Sequence, residues 1–301
     1  MITPNTEACL IVMGLECIAG LCSSVIIILY LTLTSFRERR VTSCNCILIS
    51  LSLSNVCYTI TSSANLLVTF VWPEFLSVPY VFHIIYYMIL CNLTSNSSLS
   101  AILSIFYFIK IQQFQTRFLS WIKMKIDTMV PWLILTVLFV SLLCAFLSIL
   151  MFYLEPPNNS TNATTGLGLE HQKRKLHLMK PTAILNALPF MISLLSASGS
   201  AWFLKQQRSA GKFGNTKVKD YQSAVHTMIC LVIFYALMYL FYALHVLQIF
   251  AFKSWGYWMC VIVGYSFAAI QSGLIIRGNT KIKEALRQLF SFRYILNLQD
   301  C

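Results

Sequence analysis

The stretch SIFYFIKIQQF, Ser104 to Phe114, closes the uncharged run Phe75–Ile109 with one lysine and then a glutamine pair. A helix of about 20 apolar residues crosses the roughly 30 Å hydrocarbon core of a bilayer, so this run is long enough to span it. Helices satisfy their own backbone hydrogen bonds, which lipid demands. Lys110 then falls at the membrane boundary, where its stem lies along lipid while the ammonium reaches water. The uncharged runs Cys17–Phe36, Val41–Pro73, Thr128–Leu154, Pro181–Leu204, Tyr221–Phe252 and Ser254–Ile276 share the same character.

Composition agrees. Of 301 residues, 57% are hydrophobic and only 11% charged, with a mean hydropathy of +0.71. Soluble domains carry about 25% charged residues. The expectation is an all-α membrane protein, a seven-transmembrane-helix bundle forming a single domain over 1–301. Its spans fall at about 8–36, 43–71, 81–109, 128–154, 181–204, 224–251 and 255–276, each long enough to cross. A short C-terminal amphipathic helix is expected at about 280–292. There Ile282, Ala285, Leu286, Leu289 and Phe290 recur at helical spacing opposite Lys281, Lys283, Glu284 and Arg287, and Asn279 or Thr280 can cap the start. Pro189 is expected to kink the fifth span, and Pro131 to sit near the start of the fourth, where proline costs little. Met1–Ala8 lacks the basic stretch of a cleavable signal and reads as a short outer tail.

Lysine and arginine set the orientation. With the N-terminus extracellular and the C-terminus cytoplasmic, the inner segments 37–40, 110–127, 205–220 and 277–301 hold seventeen of the 22 basic residues. The formal net charge of +12 therefore sits on the inner face. It suits an anionic leaflet, and no nucleic-acid partner is needed to explain it. Sequons give an independent sign. Those at Asn158, Asn159 and Asn162 crowd into NNSTNAT, in a loop assigned to the outside, and are the expected glycosylation sites; those at Asn92 and Asn96 lie inside the third span and should stay bare.

The eleven cysteines fall almost wholly in the spans, and the outer loop Glu155–Lys180 contains none, so a disulfide from Cys91 to that loop cannot form. No metal-binding spacing, no HExxH, no GxSxG and no paired intramembrane aspartates occur. Enzyme, pump and channel chemistries lose their usual residues, and no cofactor is implied. Glu16 is the clear intramembrane acid; it is either protonated, hydrogen-bonded to a neighbouring helix, or wet near the outer interface. A ligand-gated seven-helix receptor is the reading that remains. No D-R-Y closes the third span, and no C-W-x-P or N-P-x-x-Y appears in the last two.

LSIFYFIKIQQF at 103–114 resembles the end of the third helix of bitter taste receptors (taste receptors type 2), where such a motif stands in place of D-R-Y. FLSWIKMKI (118–126), PWLIL at the fourth span, LPFMISLLS (188–196) and IIRGNTKIKEAL (275–286) resemble that family's motifs in order. The resemblance runs from about residue 44 to 290 and implies a multi-pass plasma-membrane G-protein-coupled receptor for small bitter-type compounds. Departures mark a divergent member. Asn55 stands where the family usually has arginine. FAAIQS puts Gln271 in place of a histidine, lacks a proline and retains Ser272. Ile89 and Leu93 stand where a tryptophan and an asparagine are often linked to agonist binding. A vomeronasal type 1-like pheromone receptor and a secondary transporter are the alternatives.

Site residues follow from that reading. Tyr235, Met238, Tyr242 and His245 form one stripe of the sixth helix, which either packs or lines a cavity for varied apolar molecules. Ile89, Asn92, Leu93 and Asn96 share a face of the third helix, with the asparagines making interhelical hydrogen bonds or ligand contacts. Leu185 and Asn186 are added from the fifth helix, and Val261, Gly264 and Tyr265 from the seventh. Glu16, Asn55 and Ser272 are the candidate interhelical polar network. The resemblance implies that Lys110, Gln113, Phe114, Lys123 and Lys125 face a heterotrimeric G protein; for Lys110, boundary anchoring is the competing role. The expected partners are thus a small-molecule agonist, a G protein and the lipid bilayer.

Overall fold

The computed structural model describes residues 4–72, 74–75, 78–112, 117–154, 186–206, 215–247, 249–251, 254–279 and 281–288. They form helices α1 (Pro4–Arg37), α2 (Ser43–Phe70), α3 (Pro79–Ile111), α4 (Arg117–Leu154), α5 (Asn186–Gln206), α6 (Asn215–Val246), α7 (Trp255–Tyr265) and α8 (Phe267–Gly278), followed by α9 at 281–288. No strand occurs among the described residues. Helices α1 to α6 are each long and apolar enough to cross a membrane, and α7 with α8 makes a seventh crossing bent by 45°. The protein is a seven-helix membrane bundle.

Local sequence explains the helix ends. Thr42 and Ser254 accept from the backbone N–H groups of Asn45 and Tyr257, both at 3.3 Å, and so cap α2 and α7. Of the two candidate caps for the last helix, Asn279 accepts from Ile282 N, also at 3.3 Å. Between α1 and α2 the chain reverses through Arg39, whose φ of 48° is left-handed.

Several helices differ from their expected bounds. α4 begins at Arg117 and α6 at Asn215, ahead of 128 and 224, because charge marks the hydrocarbon edge and not the end of helical hydrogen bonding. α6 stops at Val246, short of 251, with Leu247 N and Ile249 N turning back onto the carbonyls of Ala243 and Leu244. The early start of α4 corrects the reading of Pro131, which lies in the helix interior. Proline has no N–H to offer the carbonyl of Asp127 one turn earlier. Ser43 at the start of α2 supplies the missing donor, its hydroxyl 3.1 Å from that carbonyl. The carbonyl that Pro189 would free in α5 belongs to Leu185, which lies outside the described residues.

Packing centres on α3. The main core joins Leu99, Ile102, Leu103 and Phe106 of α3 to Ile27 and Leu31 of α1, Ile47 and Leu51 of α2, and Val130 of α4. It also takes in Leu231 and Phe234 of α6, Phe267 and Ile275 of α8, and the fully buried Ile282 of α9. So α9 turns its apolar side to the bundle at Ile282; Leu289 and Phe290 lie outside the described residues. On α1 the buried residues Cys9, Met13, Cys17, Gly20, Ser24, Ile27 and Leu31 recur every three or four positions, one face of a helix. Gly20 brings α1 against α8, where an added Cβ would sit 3.1 Å from that of Ala268. Such small-residue contacts let helices approach closely in lipid.

Candidate functional site

The register of α3 decides what the bundle encloses. Ile89, Leu93 and Ser97, at i, i+4 and i+8, turn one face toward α6 and α7 and form part of the wall of a cavity of about 140 Å³. Tyr235, Met238, Tyr242 and His245 of α6 make the facing wall, with Val261, Gly264 and Tyr265 of α7 and Asn186 of α5. These residues lie at the end of the bundle that the basic residues assign to the outside.

The remaining expected positions fall elsewhere. Asn92 and Asn96, one residue around the α3 helix from that face, do not line the cavity. Asn92 donates to the Thr61 hydroxyl of α2 at 3.5 Å, the interhelical alternative. Asn96 is fully buried, with neither amide atom hydrogen-bonded, and only its backbone carbonyl accepts from Tyr235, at 3.5 Å. Of the two alternatives for this pair, Asn92 takes the interhelical hydrogen bond, and both asparagines sit outside the cavity wall, because a step of about 100° along a helix moves a side chain to a different neighbour. Leu185 lies outside the described residues, as do Asn158, Asn159, Asn162, Gln113 and Phe114.

The sequence reading named no wall residue from α2, yet Tyr58, Ser62 and Asn65 form one. They lie at i, i+4 and i+7, the signal that could have found them. It was hidden because each also reads as an ordinary helix residue. Ser97 of α3 and Tyr239, Phe241, Cys260 and Phe267 were missed as well. Hydrogen bonds tie the walls together. Ser97 donates to the amide oxygen of Asn186. Asn65 Nδ2 donates to the Tyr265 hydroxyl at 3.4 Å, which donates in turn to the carbonyl of Ser62 at 3.2 Å.

Below the cavity, Gln271 fills the place of the family's histidine. Its Nε2 donates to Tyr235 at 2.9 Å and to Ser100 at 3.1 Å, and the two hydroxyls lie 2.7 Å apart. All three side chains are buried, so this cluster fastens α8 to α3 and α6 where water does not compete. A second junction joins α2, α8 and α1: Asn55 Nδ2 donates to Ser272 at 3.3 Å, and Ser272 lies 2.8 Å from Ser24. Glu16 does not belong to it, a further correction. It sits eight residues before Ser24, about 12 Å along the helix, and its buried Oε2 has no hydrogen-bond partner.

At the opposite end, Lys110 is paired with Asp127 of α4 at 2.6 Å and lies over the Phe106 ring. Lys123 donates to the carbonyl of Gln112 at 2.8 Å, and Lys125 lies over Trp121. The described cysteines are free, and no cluster able to hold a metal ion occurs among the described residues.

Comparison with known proteins decides the family. The family model for taste receptor protein (TAS2R) matches residues 1–294. The chain belongs to the TAS2R family. It is 25% identical over 299 residues to taste receptor type 2 member 40 of Gallus gallus, covering 94% of each chain. It is 22% identical over 319 residues to taste receptor type 2 member 8 of Papio hamadryas, covering 98% of this chain and 99% of that protein. Identity to the Pongo pygmaeus member 8 is 23% over 303 residues, covering 95% and 96%. At these identities this TAS2R is a divergent member. Membership makes it a multi-pass receptor of the G-protein-coupled class and not an enzyme.

Proposed function

We propose that this TAS2R is a chemosensory receptor that takes small, uncharged, apolar or amphipathic compounds into the cavity and activates a heterotrimeric G protein from the cytosolic side. The observation that carries the reading is the wall itself. Among the described residues it contains aromatic, aliphatic, sulfur-bearing, amide and hydroxyl side chains and one imidazole, His245, but no lysine, arginine, aspartate or glutamate. Burying an ion in such a cavity without a counter-charge is costly, whereas an uncharged ring replaces lost water with dispersion contacts. A volume of about 140 Å³ compares with the roughly 150 Å³ of an apolar cavity that accepts benzene, so larger agonists need the helices to move. Activation is then a population shift, in which only a compound preferring the signalling conformation changes the equilibrium. The basic inner segments, with Lys110, Lys123 and Lys125, supply the docking face for the G protein, and the N-terminus is extracellular.

The test is expression with a chimeric G protein and a calcium readout, screened with a chemically diverse bitter library. Neutral compounds are expected to act, with Tyr242→Ala lowering their potency at least about tenfold, as loss of a buried aromatic contact predicts. Activation by permanently charged compounds alone would overturn the reading.

A further inference from the structure

The last span bends by 45° at Ser266, although no proline lies between Lys253 and the end of the chain. Sharp kinks usually trace to proline or to a side chain that enters the helical hydrogen-bond ladder. Here side chains hold the carbonyls at the break. The Ser266 hydroxyl donates to Val263 O at 2.8 Å, and the Tyr58 hydroxyl of α2 donates to Gly264 O at 3.0 Å. Ser266 itself has ψ of −11°, well away from the helical value near −42°. Just past the break, Phe267 is buried against the rings of Tyr58, Phe234 and Tyr235, with centroids 5.4 to 5.9 Å apart. Tyr58, Gly264 and Phe267 also line the cavity.

We propose that Tyr58 is a positioning residue for a proline-free hinge between α7 and α8: its hydrogen bond to the Gly264 carbonyl holds the seventh span bent, and because both groups are cavity wall, a compound in the cavity acts on the hinge directly. The inference rests on the proposed function for its meaning in signalling, but not for its test. Removing the hydroxyl leaves the Gly264 carbonyl to return to ordinary helical bonding, which favours the straighter span. Gly264 adds to the bend through its low helix propensity, and it can be replaced without a clash, since no atom lies within 4 Å of an added Cβ.

The experiment uses the full chain in nanodiscs, with spin-labelled unnatural amino acids at the exposed positions Trp255 and Arg277. By helical rise these ends lie about 33 Å apart in a straight span and about 30 Å apart in the bent one. Tyr58→Phe, which keeps the ring against Phe267, is expected to raise the straight-to-bent ratio about fivefold, the worth of one neutral hydrogen bond. Gly264→Ala is expected to shift it the same way. In cells, basal G-protein activity should change by a similar factor in both variants. Distance distributions of both folded variants that superimpose on the parent would overturn the proposal, as would a shift confined to a Tyr58→Leu variant, which would assign the effect to the ring. A shift in distance without any change in signalling would leave the hinge standing and count against the functional reading.

Discussion

Helices α3 and α4 lie side by side and have nearly opposite relations to their surroundings. Across the membrane window 72% of α3 is buried, against 22% of α4. Yet α3 is the more polar, carrying Asn92, Thr94, Ser95, Asn96, Ser97, Ser100 and Ser104 within it, all buried. The apolar α4 instead exposes Trp132, Leu135, Phe139 and Phe146. A soluble protein would place them the other way round. In lipid, apolar side chains gain little by turning inward, so polar and small groups that need partners or close approach take the centre. The two helices nevertheless meet at one membrane boundary through the Lys110–Asp127 pair.

The sharpest way to break this contrast is to place a charge on the outer face of α4. Phe139→Lys is expected to cost about 3 kcal/mol of insertion free energy and to remove most receptor from the cell surface; Leu135→Ala on the same face serves as a near-neutral control. Normal surface expression of Phe139→Lys would mean that this face does not meet lipid. Crowding tests the centre. An added Cβ at Gly199 of α5 would lie 2.7 Å from the Phe108 ring of α3, so Gly199→Val should destabilise by about 1–3 kcal/mol. Thermal unfolding of the purified receptor reads that difference.

A smaller effect sharpens the polar side of the comparison. Tyr235→Phe removes the hydroxyl shared by Ser100 and Gln271, and about 1 kcal/mol of stability should go with it. Gln271→Leu combined with Tyr235→Phe should then cost less than the sum of the two single changes, a double-mutant cycle that an independent pair would not show. The smallest change is expected where the helices meet water. Lys110 and Asp127 are both partly exposed, so Asp127→Asn should alter stability by less than about 1 kcal/mol. A larger loss on thermal unfolding would show that this pair, and not the core, fastens α4 to α3.

Legibility in the sequence followed from which forces act locally. The spans could be read because a charge in hydrocarbon is prohibitive, so Lys110, Arg37 and Arg277 mark where membrane ends. The α6 stripe could be read because Tyr235, Met238, Tyr242 and His245 share a helical face whatever packs against it. What Asn92 and Asn96 touch could not, since inward is a direction and α2 or α6 is a neighbour. The contribution of Tyr58, Ser62 and Asn65 was hidden for the same reason. The bend at Ser266 had no proline to announce it; beside it, a hydroxyl from a helix more than two hundred residues away in the chain bonds the Gly264 carbonyl.

By itself, then, the sequence determined that the chain crosses a membrane as a seven-helix bundle, and its motifs pointed to the taste-receptor family. Both rest on costs that each segment bears alone: dehydrating charge and leaving backbone groups unpaired in lipid. Only the tertiary structure decided which faces enclose the cavity, that Ser24 and not Glu16 completes the Asn55–Ser272 junction, and that the last span is broken. Those outcomes depend on helix rotation and on partners distant in the chain, and a single helix carries no record of either.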